Sequence, residues 1–163
     1  MRMRNVVLLA CGEPMRGDDA LALAVLDALP PATRAMVEVR NVGQLMPDDL
    51  HGLNGAVIIL DAVDGPPPGT VVDLPLSALA DAHDHGITPA SSHALPLPVT
   101  LGIVGQLPGG LPEGRFVGVA GSDYTLGAPL SAIVRDAVPA CAARVNHWVR
   151  ALVHESRPSH VPD

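Results

Sequence analysis

Short apolar runs alternate along this chain with segments of helical spacing. Val6 to Cys11 is continuously apolar, as a strand covered on both faces should be, and Ala56 to Leu60 (Ala-Val-Ile-Ile-Leu) repeats that signature. Ala35 to Arg40 alternates and reads as a second strand. Thr70 to Leu76 reads as a strand near an edge, because prolines flank it. Arg115 to Ala120 is the last strand. Between them, Asp19 to Leu29 has helical spacing and stops at Pro30-Pro31, which cannot continue it. Gly43 to Leu53 holds a loop with a short helix near Pro47-Asp48-Asp49, and a helix runs from Leu97 to Gln106. Ser131 to Glu155 is the longest helix. Its residues Val134, Val138, Cys141, Val145, Trp148 and Leu152 recur at spacings of four and three as one buried stripe, and Pro139 predicts a kink.

Strands that alternate with helices define a three-layer α/β domain, a twisted, mostly parallel or mixed sheet of about five strands with helices on both faces. The pattern predicts a single domain over residues 1–155 and a flexible tail over 156–163. Ligands in such sheets bind beyond the carboxyl ends of the strands. Two strand ends bring acids there: Asp18 and Asp19 after the first, and Asp61 after Ala56–Leu60. Within the acidic pair, capping of the following helix accounts for one member, with Asp18 as N-cap.

Composition narrows the chemistry. The 163 residues are 48% hydrophobic and 17% charged, which is globular rather than disordered. A net charge of −7 argues against a nucleic-acid partner. All ten basic residues are arginine, so a Walker-type P-loop, a Schiff-base enzyme and a lysine general base are excluded. Cys11 and Cys141 do not make a disulfide scaffold; a reducing cytoplasm is the expected setting. The Met1-Arg2-Met3-Arg4 start followed by an apolar run mimics a lipoprotein signal, yet the run is shorter than the roughly 7–15 residues of a signal core. No run approaches the ~20 apolar residues that span a bilayer, so no membrane partner is expected.

Asp19, Asp61 and His93 are far apart in sequence, but the first two follow the two most buried strands and should converge at one sheet edge. Two carboxylates and an imidazole suit a borderline divalent metal such as nickel or zinc, and three protein ligands leave positions open, as catalytic sites do. Taken singly, a lone acid after a strand is more often a turn former, and a lone loop histidine is usually solvated.

Three segments then carry a resemblance. Gly12 through Asp18-Asp19, then Ile58-Ile59-Leu60-Asp61-Ala62 with Pro68-Gly69-Thr70 downstream, and Ser92-His93-Ala94-Leu95 resemble, in order and distance, the hydrogenase maturation endopeptidases. Gly43 with Leu45, and Val117-Gly118-Val119 before a helix start at Leu130-Ser131, add weaker agreement, and the match extends over residues 4–153. The resemblance implies a phosphorylase/hydrolase-like fold and an aspartyl-type endopeptidase that trims the C-terminal extension of a nickel–iron hydrogenase large-subunit precursor, thereby activating that enzyme. It implies that Asp19, Asp61 and His93 are both the catalytic and the metal-contacting set. The nickel would arrive with the substrate, and other divalent metals could occupy the site in vitro. The precursor is the implied protein partner, and a monomer or weak dimer is expected. Three places depart from the family pattern: Ala10-Cys11-Gly12-Glu13 at the glycine turn, which adds a third carboxylate, Asn41-Val42-Gly43, and Gly121-Ser122-Asp123.

Rival readings are a nickel-sensing chaperone for hydrogenase assembly that binds without cutting, a Cys11 hydrolase with His93 as base, and a metal-binding loop of Asp81, His83, Asp84 and His85. Against the second, Cys11 lies where a strand residue points into the core, and Cys141 likewise sits in the helix stripe. Asp48, Asp49, Glu113, His147, His154 and the arginines read as solvated surface, and Asp64 as a turn residue beside Gly65.

Overall fold

The computed structural model describes residues 3–80, 86–90 and 95–154. The first strand, β1 (Val6–Cys11), is followed by a single 3-10 turn (Gly17–Ala20) and helix α1 (Leu21–Ala28). A one-turn helix α2 (Pro31–Arg34) leads to β2 (Glu38–Val42), α3 (Pro47–Leu50) and the long central strand β3 (Ala56–Asp64). Then come β4 (Val71–Pro75), α4 (Leu76–Ala80), a two-residue β5 (Thr88–Pro89), α5 (Leu97–Gln106), β6 (Gly114–Ala120) and α6 (Ala132–His154).

The strands form one mixed sheet in the order β2-β1-β3-β6-β4, with β5 paired to the end of β3. β2, β1, β3 and β6 run parallel; β4 closes one edge antiparallel to β6. Strand alternation splits the core in two. Val6, Leu8, Ala10, Ile58 and Leu60 pack against α1 and α6. Val7, Leu9, Cys11, Val57, Ile59 and Phe116 pack against α3, α4 and α5. The expected three-layer architecture is therefore observed, and β4 is the edge strand its prolines predict.

Several boundaries move for identifiable reasons. β2 starts at Glu38 rather than Ala35, because Pro31 opens a new helical turn instead of merely ending α1. Parallel pairing then sets Val7 beside Glu38 and Cys11 beside Val42, so both strands end level. β3 does not stop at Leu60. Asp61 and the residues after it keep their ladder with Gly118, Val119 and Ala120, since backbone pairing is indifferent to a polar side chain. Asp64 is thus the exposed last residue of that strand, not a turn residue.

In α6 the buried stripe is Val134, Val138, Cys141, Ala142, Val145, Val149, Leu152 and Val153. Pro139 lies within this helix. Trp148 is only half-buried and sits beside the stripe. Its indole N–H donates to Asp73 at 2.8 Å, and the guanidinium carbon of Arg115 lies 4.0 Å from its ring centroid. Arg115 also donates to Asp73 through Nε and Nη2, so this arginine is not the solvated side chain expected of it. Arg4 and Glu113 form an ion pair, and Asp49 accepts the Met46 N–H at the start of α3. His147 and His154 are at the surface as expected. The proposed tail, 156–163, lies outside the described residues. No helix among the described residues is long and apolar enough to cross a membrane.

Candidate active site at the carboxyl end of the sheet

From β1 the chain crosses to β2 on one side, and it later returns to β3 on the other. Neighbouring strands whose connections part in opposite directions leave a crevice at their carboxyl ends. Ala10 pairs with Leu60, so the next residues, Cys11 and Asp61, stand side by side at that crevice.

The loop after β1 is shaped by one glycine. Gly12 has φ +117°, and a Cβ there would lie 2.1 Å from the Asp19 carbonyl oxygen and 2.9 Å from its Oδ1. Only glycine lets the loop fold this tightly onto Asp19. The Gly12 N–H donates to Gly43 O at 3.0 Å, and the Glu13 N–H donates to Asp19 Oδ2 at 2.9 Å. Asp19 is 8% exposed and lines a cleft of about 420 Å³ with Gly12, Glu13, Pro14, Leu23 and Asn41. The loop's departures from the family pattern, Glu13 and Asn41, thus flank this cleft.

Asp61 is fully buried. By alternation it shares the face of Ile59 and Val63, on which α5 also packs. Packing alone does not place a carboxylate in such a position, because burying one without compensation is costly. The 3-10 turn that carries Asp19 packs against β3, the strand that carries Asp61.

Asp18 is not an N-cap. Neither the 3-10 turn nor α1 has a side-chain cap. Fully buried, Asp18 instead accepts the N–H groups of Ser122 (2.7 Å), Asp123 (2.9 Å) and Ser131 (2.7 Å), and the Ser131 hydroxyl (2.9 Å). Tyr124, in the same segment, donates its hydroxyl to Val63 O at 3.2 Å and packs where a Cβ on Gly121 would otherwise sit. Burial, and then the carboxylates of Asp64, Asp18 and Asp61, push its phenol above the usual tyrosine range. These acids therefore gather around one hydroxyl at the end of β3.

Of the expected set, Asp19 and Asp61 both reach the carboxyl end of the sheet. His93 lies outside the described residues, as do Asp81, His83, Asp84 and His85. The helix after His93, α5, begins at Leu97 and packs on the face that Asp61 shares. Among the described residues no three metal-binding side chains cluster. The donor chemistry fits a metal held mainly by other ligands and approached by two carboxylates. Cys11 is buried at 2% exposure with its thiol toward Leu9 O, and Cys141 is buried too, both as expected of core residues. Reading single positions missed Asp73, Tyr124 and the binding role of Asp18. Their partners lie far away in the chain, and no local pattern announces them.

Together the fold and the site define a doubly wound α/β protein with an acidic centre at the strand ends. Solved structures of the same fold include hydrogenase maturating endopeptidase HybD from E. coli (18% identity, TM-score 0.67, covering 90% of this chain and 93% of that one). [NiFe] hydrogenase maturation protease HybD from Thermococcus kodakarensis matches at 20% identity and TM-score 0.65, over 89% and 99% of the two chains. Endopeptidase HycI from Escherichia coli matches at 22% identity and TM-score 0.62, over 88% and 90%. Neither a protein-family model nor a curated protein matches the sequence. The chain has the fold of the hydrogenase maturation proteases.

Proposed function

We propose that this chain is an endopeptidase that removes the C-terminal extension of a nickel-loaded hydrogenase large-subunit precursor. The observation that carries the reading is the placement of Asp19 and Asp61 at the strand-switch crevice of a fold shared with solved hydrogenase maturation proteases. Asp19, Asp61 and His93 form the metal-contacting set, and the nickel belongs to the substrate. An enzyme with an incomplete donor set is selective for precursor that already holds its metal, because the metal completes the contact. The carboxylate not engaged by nickel takes a proton from water as the water attacks the scissile carbonyl carbon. The C–N bond then breaks, and the proton passes to the leaving amine.

The Cys11 alternative fails on burial: a thiol that turns into the core toward Leu9 O has no access to a peptide bond. Mass spectrometry on a nickel-loaded precursor tests the proposal. Loss of the C-terminal peptide is expected with nickel present, and no loss is expected from nickel-free precursor or with Asp19→Asn. Whichever of Asp19→Asn and Asp61→Asn keeps precursor binding while losing cleavage marks the base. A stable complex that is never cleaved would replace the peptidase with a nickel-sensing chaperone.

A further inference from the structure

We propose that Asp18 is the positioning residue for Asp19: a buried carboxylate that fixes the loop of one acid by fastening it to a distant segment. The inference rests on the reading of Asp19 as part of the reactive set.

The loop from Gly12 to Ala20 has few contacts of its own that could set the direction of Asp19. Inside the loop, the Arg16 N–H donates to Glu13 O and the Asp19 N–H donates to Arg16 O. The firm attachments reach outside it, to the segment between β6 and α6. The Asp18 N–H donates to Asp123 O at 2.8 Å, and the Gly127 N–H donates to Met15 O at 2.7 Å. Gly17, at φ +52°, lets the two backbones touch, since a Cβ there would lie 2.2 Å from Asp123 O. Between these contacts the Asp18 carboxylate gathers three backbone N–H groups and one hydroxyl, all from residues 122 to 131. That segment is itself anchored to β3 through the Tyr124 hydroxyl at Val63 O. A rigid chain of contacts therefore runs from the strand of Asp61, through Tyr124 and the 121–131 segment, to Asp18 and its immediate neighbour Asp19. In this way the two acids of the site are registered against each other, although their strands end in separate loops.

The chemistry requires a carboxylate at position 18. Its donors converge on both oxygens, Ser131 N–H on Oδ1 and the others on Oδ2. An asparagine keeps one accepting oxygen and turns an NH₂ toward N–H donors, so part of the fastening becomes repulsive. A residue serving only stability would lower the melting temperature without altering turnover in the folded protein. A positioning residue alters turnover.

The test compares full-length Asp18→Asn with Asp73→Asn, which breaks a buried carboxylate network at the other end of β6. Two readouts are taken well below the melting temperature of each variant. In precursor cleavage, Asp18→Asn is expected to lower kcat by about a hundredfold at little-changed KM, the scale of a misplaced reacting group. Asp73→Asn should leave both constants near wild type. In native-state hydrogen exchange, the Glu13 amide, which donates to Asp19 Oδ2, should lose protection by about tenfold or more in Asp18→Asn and keep it in Asp73→Asn. If Asp18→Asn does not fold, Ser131→Ala, which removes one of the donors, should shift Glu13 protection the same way by a smaller factor. Unchanged Glu13 protection in the Asp18 or Ser131 variant would overturn the proposal. Exchange needs no substrate, so it decides the positioning role even if wild-type protein cleaves no precursor, a result that would refute the peptidase reading instead.

Discussion

Asp73 accepts two donors from Arg115 and the indole N–H of Trp148, and its side chain is 12% exposed. Removing its charge leaves a guanidinium, 20% exposed, facing an amide that cannot satisfy it. Asp73→Asn is expected to cost about 3 kcal/mol in urea unfolding, the range for breaking one side of a mostly buried pair. At the other end of the sheet, Gly12→Ala places a Cβ against the Asp19 carbonyl at a φ that L-residues rarely adopt. The loss is expected to exceed about 1 kcal/mol, with cleavage falling further than stability does, because Asp19 must move to relieve the contact. Thermal melts beside a cleavage assay check both statements. Neither aspartate network could be read from neighbouring residues, whereas the glycine turn at Gly12 could.

β3 is the element on which the others depend. It pairs with β1 on one side and β6 on the other, and it carries apolar side chains to both cores before presenting Asp61. Its partner β6 supplies Phe116, the chain's single phenylalanine, which is fully buried among Leu9, Ile59 and Leu101 in the core on the α5 side. Phe116→Ala is expected to cost about 3–5 kcal/mol, because aliphatic neighbours held by the sheet cannot collapse into the space. Chemical denaturation measures it, and a cost under about 1 kcal/mol would show that this core relaxes freely. Periodicity located α5 to the residue and α6 to within one at each described boundary, since long one-sided apolar patterns leave little freedom. It misplaced β2, whose bounds depend on where β1 offers partners.

Across the whole molecule, pH links the two cores to stability. Burial, and secondarily the Asp73 charge, push the Cys141 thiol up to about 12 from 9.0. The unfolded thiol ionises first, so the native state holds the proton that the unfolded state releases. Stability contributed by Cys141 is intact below about pH 9 and declines toward pH 12 with a slope of about 1.4 kcal/mol per pH unit. Tyr124, raised in the same direction, adds to the fall at higher pH. Guanidinium unfolding between pH 8 and 10.5, within about that slope, should show a shallower decline for Cys141→Ala than for wild type. Equal slopes would mean that the thiol ionises in place.

The sequence by itself determined the layer architecture, the two central strands, the core placement of both cysteines, and the delivery of Asp19 and Asp61 to strand ends. These follow from local period and from the rule that parallel strands open their crevice at the carboxyl side. Tertiary structure alone decided which member of the acidic pair is structural, how far β3 extends, and that Arg115, Trp148 and Asp73 form one buried group. The reason is separation along the chain. Asp18 meets its donors 104 to 113 positions away and Asp73 meets Trp148 75 positions away. A carboxylate's role is set by what the fold brings to its oxygens, which its sequence neighbours do not encode.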